Sequence, residues 1–155
     1  MKDFKLTEHF WLHEFRVSRD HPELAESLNP TEYHIRNIYI QCAYIWQPVR
    51  DRLDVPIIIS SGYRDPALNT AVGGSPNSLH MDASASDAFV IAHPNIMRGM
   101  FIMMRDEMMD RISQLIWYPY KNMIHAASLV HGAWRCCQIR HEANPLTWEH
   151  FDIEG

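Results

Sequence analysis

Hydrophobic positions along this chain follow two spacings, and each predicts a different element. Ile35, Ile38, Cys42, Ile45, Trp46, Val49 and Leu53 recur every three or four residues, which lines one face of a helix with apolar side chains. Asn29-Pro30-Thr31-Glu32 supplies its start, with Asn29 as cap, Pro30 at the first helical position and Glu32 in the capping-box place. Pro48 has no amide hydrogen, so it should kink or break the helix near its end. Val55-Pro56-Ile57-Ile58-Ile59-Ser60 is then a continuous β-branched run, which reads as a buried strand.

Beyond that strand Ser61-Gly62-Tyr63-Arg64 turns the chain. A short helix follows over 65–72, with Asp65 as cap, Pro66 at its first position and Gly73 past its end. Residues 73–78 are a loop by composition. Ser86 to Ile91 reads as a second strand, and Pro94 to Met109 as an amphipathic helix whose stripe of Met97, Phe101, Met104 and Met108 is core filler rather than a ligand set. Residues 114–118, 123–127 and 133–139 read as three strands joined by short turns. Before all of these, residues 7–28 mix aromatic and charged side chains without a period and should form a packed arm with short turns. The sum is an α+β protein, a small antiparallel sheet with helices packed against it, in one domain over 1–155.

Charge and cysteine content narrow the function. A net charge of -5 with both signs interspersed leaves no basic stripe, which argues against nucleic acid as a partner. The three cysteines, Cys42 and the adjacent Cys136-Cys137, form no CxxC pattern and no disulfide framework, so they are expected as reduced, buried thiols. The first nine residues are too polar for a signal peptide and no later run approaches a membrane span. Synthesis in the cytoplasm without a signal peptide is the expectation, and nothing in the sequence fixes an oligomeric state.

The candidate chemistry lies in His80, Asp87 and His125. Two imidazoles and one carboxylate make a three-ligand set for zinc with a fourth position left for water, the composition of a catalytic rather than a structural site. The spacing of seven between His80 and Asp87 suits a loop followed by a strand start, with His125 arriving on a separate strand. In a chain with ten histidines, solvated or core-packed rings explain the same spacing.

The surrounding motifs settle more. Ile59-Ser60-Ser61-Gly62-Tyr63-Arg64-Asp65-Pro66-Ala67-Leu68-Asn69, then Val72-Gly73-Gly74-Ser75, then Ser78-Leu79-His80 and Asp87 resemble the zinc D-alanyl-D-alanine carboxypeptidases and their phage endolysin relatives, which show an SGYR-type turn, a VGGS loop and an SxHxxGxAxD motif in this order. The opening Leu6 to Phe15 and the pair Gln114-Leu115-Ile116 and Ile124-His125 resemble the family's first and last elements, so the likeness spans residues 6 to about 128. It implies a hedgehog/DD-peptidase fold and zinc held by His80, Asp87 and His125. It also implies Arg64 as the cation facing the oxyanion, and Ser78 and Tyr63 as substrate contacts. The implied substrate is a peptidoglycan stem peptide, cut as a carboxypeptidase or as an endopeptidase, and the implied setting is a bacteriophage lysis protein acting on a host wall. Taken singly, Arg64 reads better as a partner for Asp65 or another surface carboxylate, and Ser78 as a loop residue bonding its own backbone.

Two positions depart from that family. Three residues before the last histidine it carries an acid that serves as general base; here Asn122 stands there, and a carboxamide takes up no proton at neutral pH. Restoring an acid at 122 is therefore expected to raise turnover. Asp82, His131 and Glu142 are the other acids or bases near enough in sequence to substitute. Ala83 replaces a glycine, which costs about 1 kcal/mol if the position needs a positive φ. Asn122 also opens an alternative: a weak or silent zinc-binding domain that recognises a peptide or protein partner, as hedgehog signalling domains do.

Overall fold

The computed structural model describes residues 2–91, 94–129, 135–142, 144 and 147–153, with Pro94 described by its backbone alone. The arm before residue 29 packs as expected. A 3₁₀ turn at Leu12–Phe15 and the short helix α1, Pro22–Ala25, deliver Leu6, Phe10, Leu12, Phe15 and Leu28 to the core.

Helix α2, Glu32–Gln41, starts later than its sequence signal. Thr31, not Asn29, is the cap: its backbone is extended, and its N–H donates to His34 Nδ1 at 3.1 Å, the place assigned to Glu32. Pro30 is buried just before this cap, because an apolar residue there is drawn against the core rather than into the first turn. Pro48 does not break the helix either. Cys42–Trp46 forms a π turn in which the Gln47 N–H donates to Cys42 O, and α3 continues over Gln47–Leu53. The wider turn makes room for the proline ring and absorbs its missing N–H.

Six strands follow the expected order with one addition: β1 Ile57–Ser61, β2 Ala85–Val90, β3 Ile112–Tyr118, β4 Met123–Ser128, β5 Cys136–Arg140 and β6 Trp148–Phe151. Between them lie α4, Pro66–Ala71, and α5, Pro94–Glu107. The sheet order is β1-β2-β4-β3-β5-β6. Every pair is antiparallel except β3 with β5, which run parallel. The sheet is thus mostly antiparallel, as expected, with one parallel pair that the sequence did not announce. The inner edge of β3 is already taken by β4, so the chain must cross to the far edge before β5 can pair, and it arrives in the same direction as β3. Residues 133 and 134, expected at the start of this strand, lie outside the described residues, and β6 had no sequence signal.

Period two gives the sheet unlike faces. Ala88, Leu115, Ile124, Ala126 and Cys137 are all buried on the side covered by α2, α3 and α5, with Met97, Phe101, Met104 and Met108 in the same core as the methionine stripe predicted. Residues of opposite parity, Asp87, His125, Ile116, Tyr118 and Arg140, face an open cleft. The thiols are free and buried, as expected, and burial pushes Cys42 up to about 12 and Cys136 and Cys137 up to about 11. No helix among the described residues is long and apolar enough to cross a membrane.

Candidate metal centre

Each of the three candidate ligands is placed by a local feature. Asp87 on β2 is the cross-strand partner of His125 on β4, so the pleat sets both side chains on the open face. His80 comes from the loop after α4. That helix is capped as predicted, Asp65 accepting the Leu68 N–H at 2.8 Å. Asn69 then holds the glycine loop: its carbonyl accepts from Gly74 N–H and its Nδ2 donates to the Ser75 carbonyl. The loop closes on Ala83, whose φ is +54, with the Ala83 N–H donating to His80 O. This is the positive φ that made glycine the expected residue.

The ligand atoms converge. His80 Nε2 lies 3.3 Å from His125 Nδ1 and 3.5 Å from Asp87 Oδ1, and His125 Nδ1 lies 2.9 Å from the same oxygen. In a tetrahedral zinc site with bonds near 2.0–2.1 Å, adjacent donor atoms stand about 3.3 Å apart. The hydrogen bonds behind the rings aim the lone pairs inward. His80 Nδ1–H donates to the Gly62 carbonyl at 2.8 Å, which leaves Nε2 to face the centre as a lone pair, and the outer nitrogen of His125, Nε2, lies 3.3 Å from Gln114 Oε1, which holds Nδ1 toward the centre. A metal ion at the centre would take the place of the proton that His125 Nδ1 and Asp87 Oδ1 share across 2.9 Å. The donor set and its spacing fit zinc.

Electrostatics agree with that role. Burial lowers the His80 pKa and keeps the ring neutral near pH 7. Burial alone would raise the Asp87 carboxyl, but the facing imidazoles outweigh it and hold the group well below the usual carboxylate range. Arg64 acts in the same sense. Its Nη2 donates to Asp87 Oδ2 at 3.0 Å while its Nε donates to Ser61 Oγ at 3.0 Å, so Oδ1 is the oxygen left for a metal.

The centre sits on the floor of a cleft of about 1230 Å³. Ser78 lines it and also accepts the His80 N–H weakly, at 3.4 Å. Tyr63 does not line the cleft. Its ring is 7 % exposed and stacks on His34 at 4.4 Å between centroids, which corrects its reading as a substrate contact: the core has taken the ring. Asn122 is exposed, in the left-handed region at φ +49, and lines a neighbouring groove with Val17, Ile59 and Phe89 rather than the cleft. Asp82 and Glu142 are exposed and line neither, and His131 lies outside the described residues.

Several residues that build the site carried no chemical signal in the sequence. Gly62 is one: a Cβ there would stand 2.2 Å from the Phe15 carbonyl oxygen, so only glycine lets the two backbones pass and puts its carbonyl under His80. A buried polar chain is another. Trp46 Nε1–H donates to Ser86 Oγ at 2.6 Å, Ser86 donates to Gln41 Oε1 at 2.7 Å, and Gln41 Nε2 donates to Ala83 O. It ties the π turn to the His80 loop and to the strand that carries Asp87. The alternation of Gln114, Ile116 and Tyr118 on one face of β3 was the readable trace of the cleft wall.

Comparison with curated proteins gives no match. The family model described as Peptidase M15 matches residues 9–127, well over half of the chain, and its span runs from the N-terminal arm through β4 to just past His125. The residues that converge on the floor of the cleft all fall inside that span, and the chain belongs to the Peptidase M15 family.

Proposed function

We propose that the chain is a zinc-dependent peptidase that hydrolyses a D-alanyl peptide bond in the stem peptides of bacterial cell walls. The observation that supports it is the convergence of His80 Nε2, Asp87 Oδ1 and His125 Nδ1 at the floor of an open cleft, each turned inward by its own outer partner. The motifs around Arg64, Gly73 and Ser78 supply the substrate class. When bound, zinc polarises a peptide carbonyl and draws the pKa of a water toward neutrality.

The rest falls to side chains of this chain. His80, Asp87 and His125 hold the ion; Gly62 O and Gln114 keep the two rings from turning. Arg64 anchors Asp87 through one nitrogen, and its remaining donors give positive charge beside the carbonyl oxygen as negative charge develops there. Asn122 neither carries a proton nor lines the cleft. Besides Asp87, the exposed Asp20 is the carboxylate among the described residues that lines the cleft.

The test is release of D-alanine from a stem pentapeptide ending in D-Ala-D-Ala, and cleavage of a cross-linked dimer, by zinc-loaded protein with and without chelator. Hydrolysis of either that chelator abolishes is the expected result. Absence of cleavage of both substrates by protein that binds zinc would refute the assignment.

A further inference from the structure

The family match ends at residue 127, yet the cleft does not. Tyr118 at the end of β3, inside the matched span, and Arg140 at the end of β5, beyond it, both line the cleft. We propose that Arg140 is a specificity-determining residue that binds a carboxylate of the peptide substrate, held for that purpose by Trp148, Gln138 and Tyr118.

Three observations carry this. Arg140 is rigid: its guanidinium carbon lies 3.8 Å from the centroid of the Trp148 ring, its Nε donates to Gln138 Oε1 at 2.9 Å, and its Nη1 donates to Tyr118 Oη at 3.2 Å. Gln138 is itself 1 % exposed and fixed through its Nε2, which donates to His150 Nδ1 at 2.9 Å. Each of these partners is neutral. Among the described residues no carboxylate lies within ion-pair distance of Arg140, whereas Arg64, in the same cleft, is paired with Asp87. A guanidinium stacked on indole, braced by neutral acceptors and open to a cleft is prepared for a bidentate anion. Finally, the cleft is cationic in a protein of net charge -5: Arg19, Arg64, Lys121 and Arg140 line it against Asp20 and Asp87.

Sheet register fixes the scale. His125 pairs with Ile116, Ile116 with Gln138, and Arg140 is two residues further along β5. With strands about 4.8 Å apart and about 3.3 Å per residue, the His125 and Arg140 backbones stand about 12 Å apart. An arginine side chain reaching inward then meets a group one or two residues along a peptide whose carbonyl lies at the metal.

The proposal rests on the peptide-substrate reading above, and its test separates the two. Calorimetric titration of the full-length, zinc-loaded protein would use a stem pentapeptide ending in D-Ala-D-Ala, its C-terminal carboxamide, and its D-isoglutamine form, beside D-alanine release from the same peptides. Arg140→Gln should weaken binding of the free acid by about 10- to 100-fold, the worth of a charge-assisted pair, with an unchanged melting temperature. Wild type should lose the same factor with whichever amidated peptide lacks the recognised carboxylate, which identifies its source, and Arg140→Gln should bind that peptide and the free acid alike. Arg140→Lys should restore only part, since lysine cannot grip both oxygens. If wild type binds acid and amide forms equally, or binds none of the three, the proposal is overturned. Hydrolysis without an acid-amide difference removes the subsite and leaves the peptidase; a difference in binding without hydrolysis does the reverse.

Discussion

Replacing Gly62 with alanine tests how the fold aims the metal centre. The added Cβ would lie 2.2 Å from Phe15 O and 2.7 Å from Phe15 C. Both are backbone atoms, and Phe15 is fully buried with its carbonyl accepting the Tyr63 N–H at 2.8 Å. Neither side yields cheaply, so the segments must part by about 1 Å to reach ordinary contact, at the about 1–3 kcal/mol typical of overpacking. The Gly62 carbonyl accepts from His80 Nδ1 at 2.8 Å, and a shift of that size carries it past hydrogen-bond distance. A ligand histidine that loses its outer partner binds metal about 10- to 100-fold more weakly. Zinc affinity by chelator competition, and melting temperature with and without zinc, read the two effects separately. Gly99→Ala is the control: on α5 with nothing within 4 Å of its Cβ, it should stabilise by about 0.5–1 kcal/mol and leave zinc affinity unchanged. Gly62→Ala protein with wild-type zinc affinity would refute the account of how His80 is oriented.

Three further outcomes follow from the same geometry. Ala83→Gly should change stability by less than about 1 kcal/mol in urea unfolding: relief of a left-handed alanine gains about 1–2 kcal/mol, while glycine's extra chain entropy costs about 0.5–1 and the buried methyl about 0.8; a loss above about 2 kcal/mol would contradict the strained loop. Asn122→Asp should leave D-alanine release within about threefold of wild type, because the side chain lies outside the cleft; the about 100-fold rise that a new general base brings would place it inside. In chelator, stability should fall on acidification. The folded pKa of His80 is lowered, so the unfolded state takes up protons first, and the loss begins as pH drops below about 6.5 and continues to the folded value, with Asp87 adding a loss of the same sign below about 3.9. Apoprotein melting temperatures that rise from pH 8 to pH 5 would contradict this.

Much of the fold was legible because its signals are local. The apolar stripe from Ile35 to Leu53, the β-branched run at 57–59 and the Asp65-Pro66 start each act within a few residues, and each element formed. The helix cap moved from Asn29 to Thr31 because Pro30 found more to bury in the core than in the first turn. Pro48 was absorbed by a π turn, which depends on packing that no local rule contains.

The site divides in the same way. Residue types and motif order alone named His80, Asp87, His125 and Arg64, since ligand chemistry is a property of the side chain. Whether those atoms meet is a property of the register of β2 on β4 and of one glycine lying against Phe15, contacts between residues 47 or more positions apart along the chain in the second case. Tertiary structure alone decided that Tyr63 belongs to the core, that Asn122 faces another groove, and that β5 runs parallel to β3 and brings Arg140 to the cleft. Chemistry travels with each residue along the sequence; direction and distance exist only once the backbone has been folded and its neighbours have been chosen.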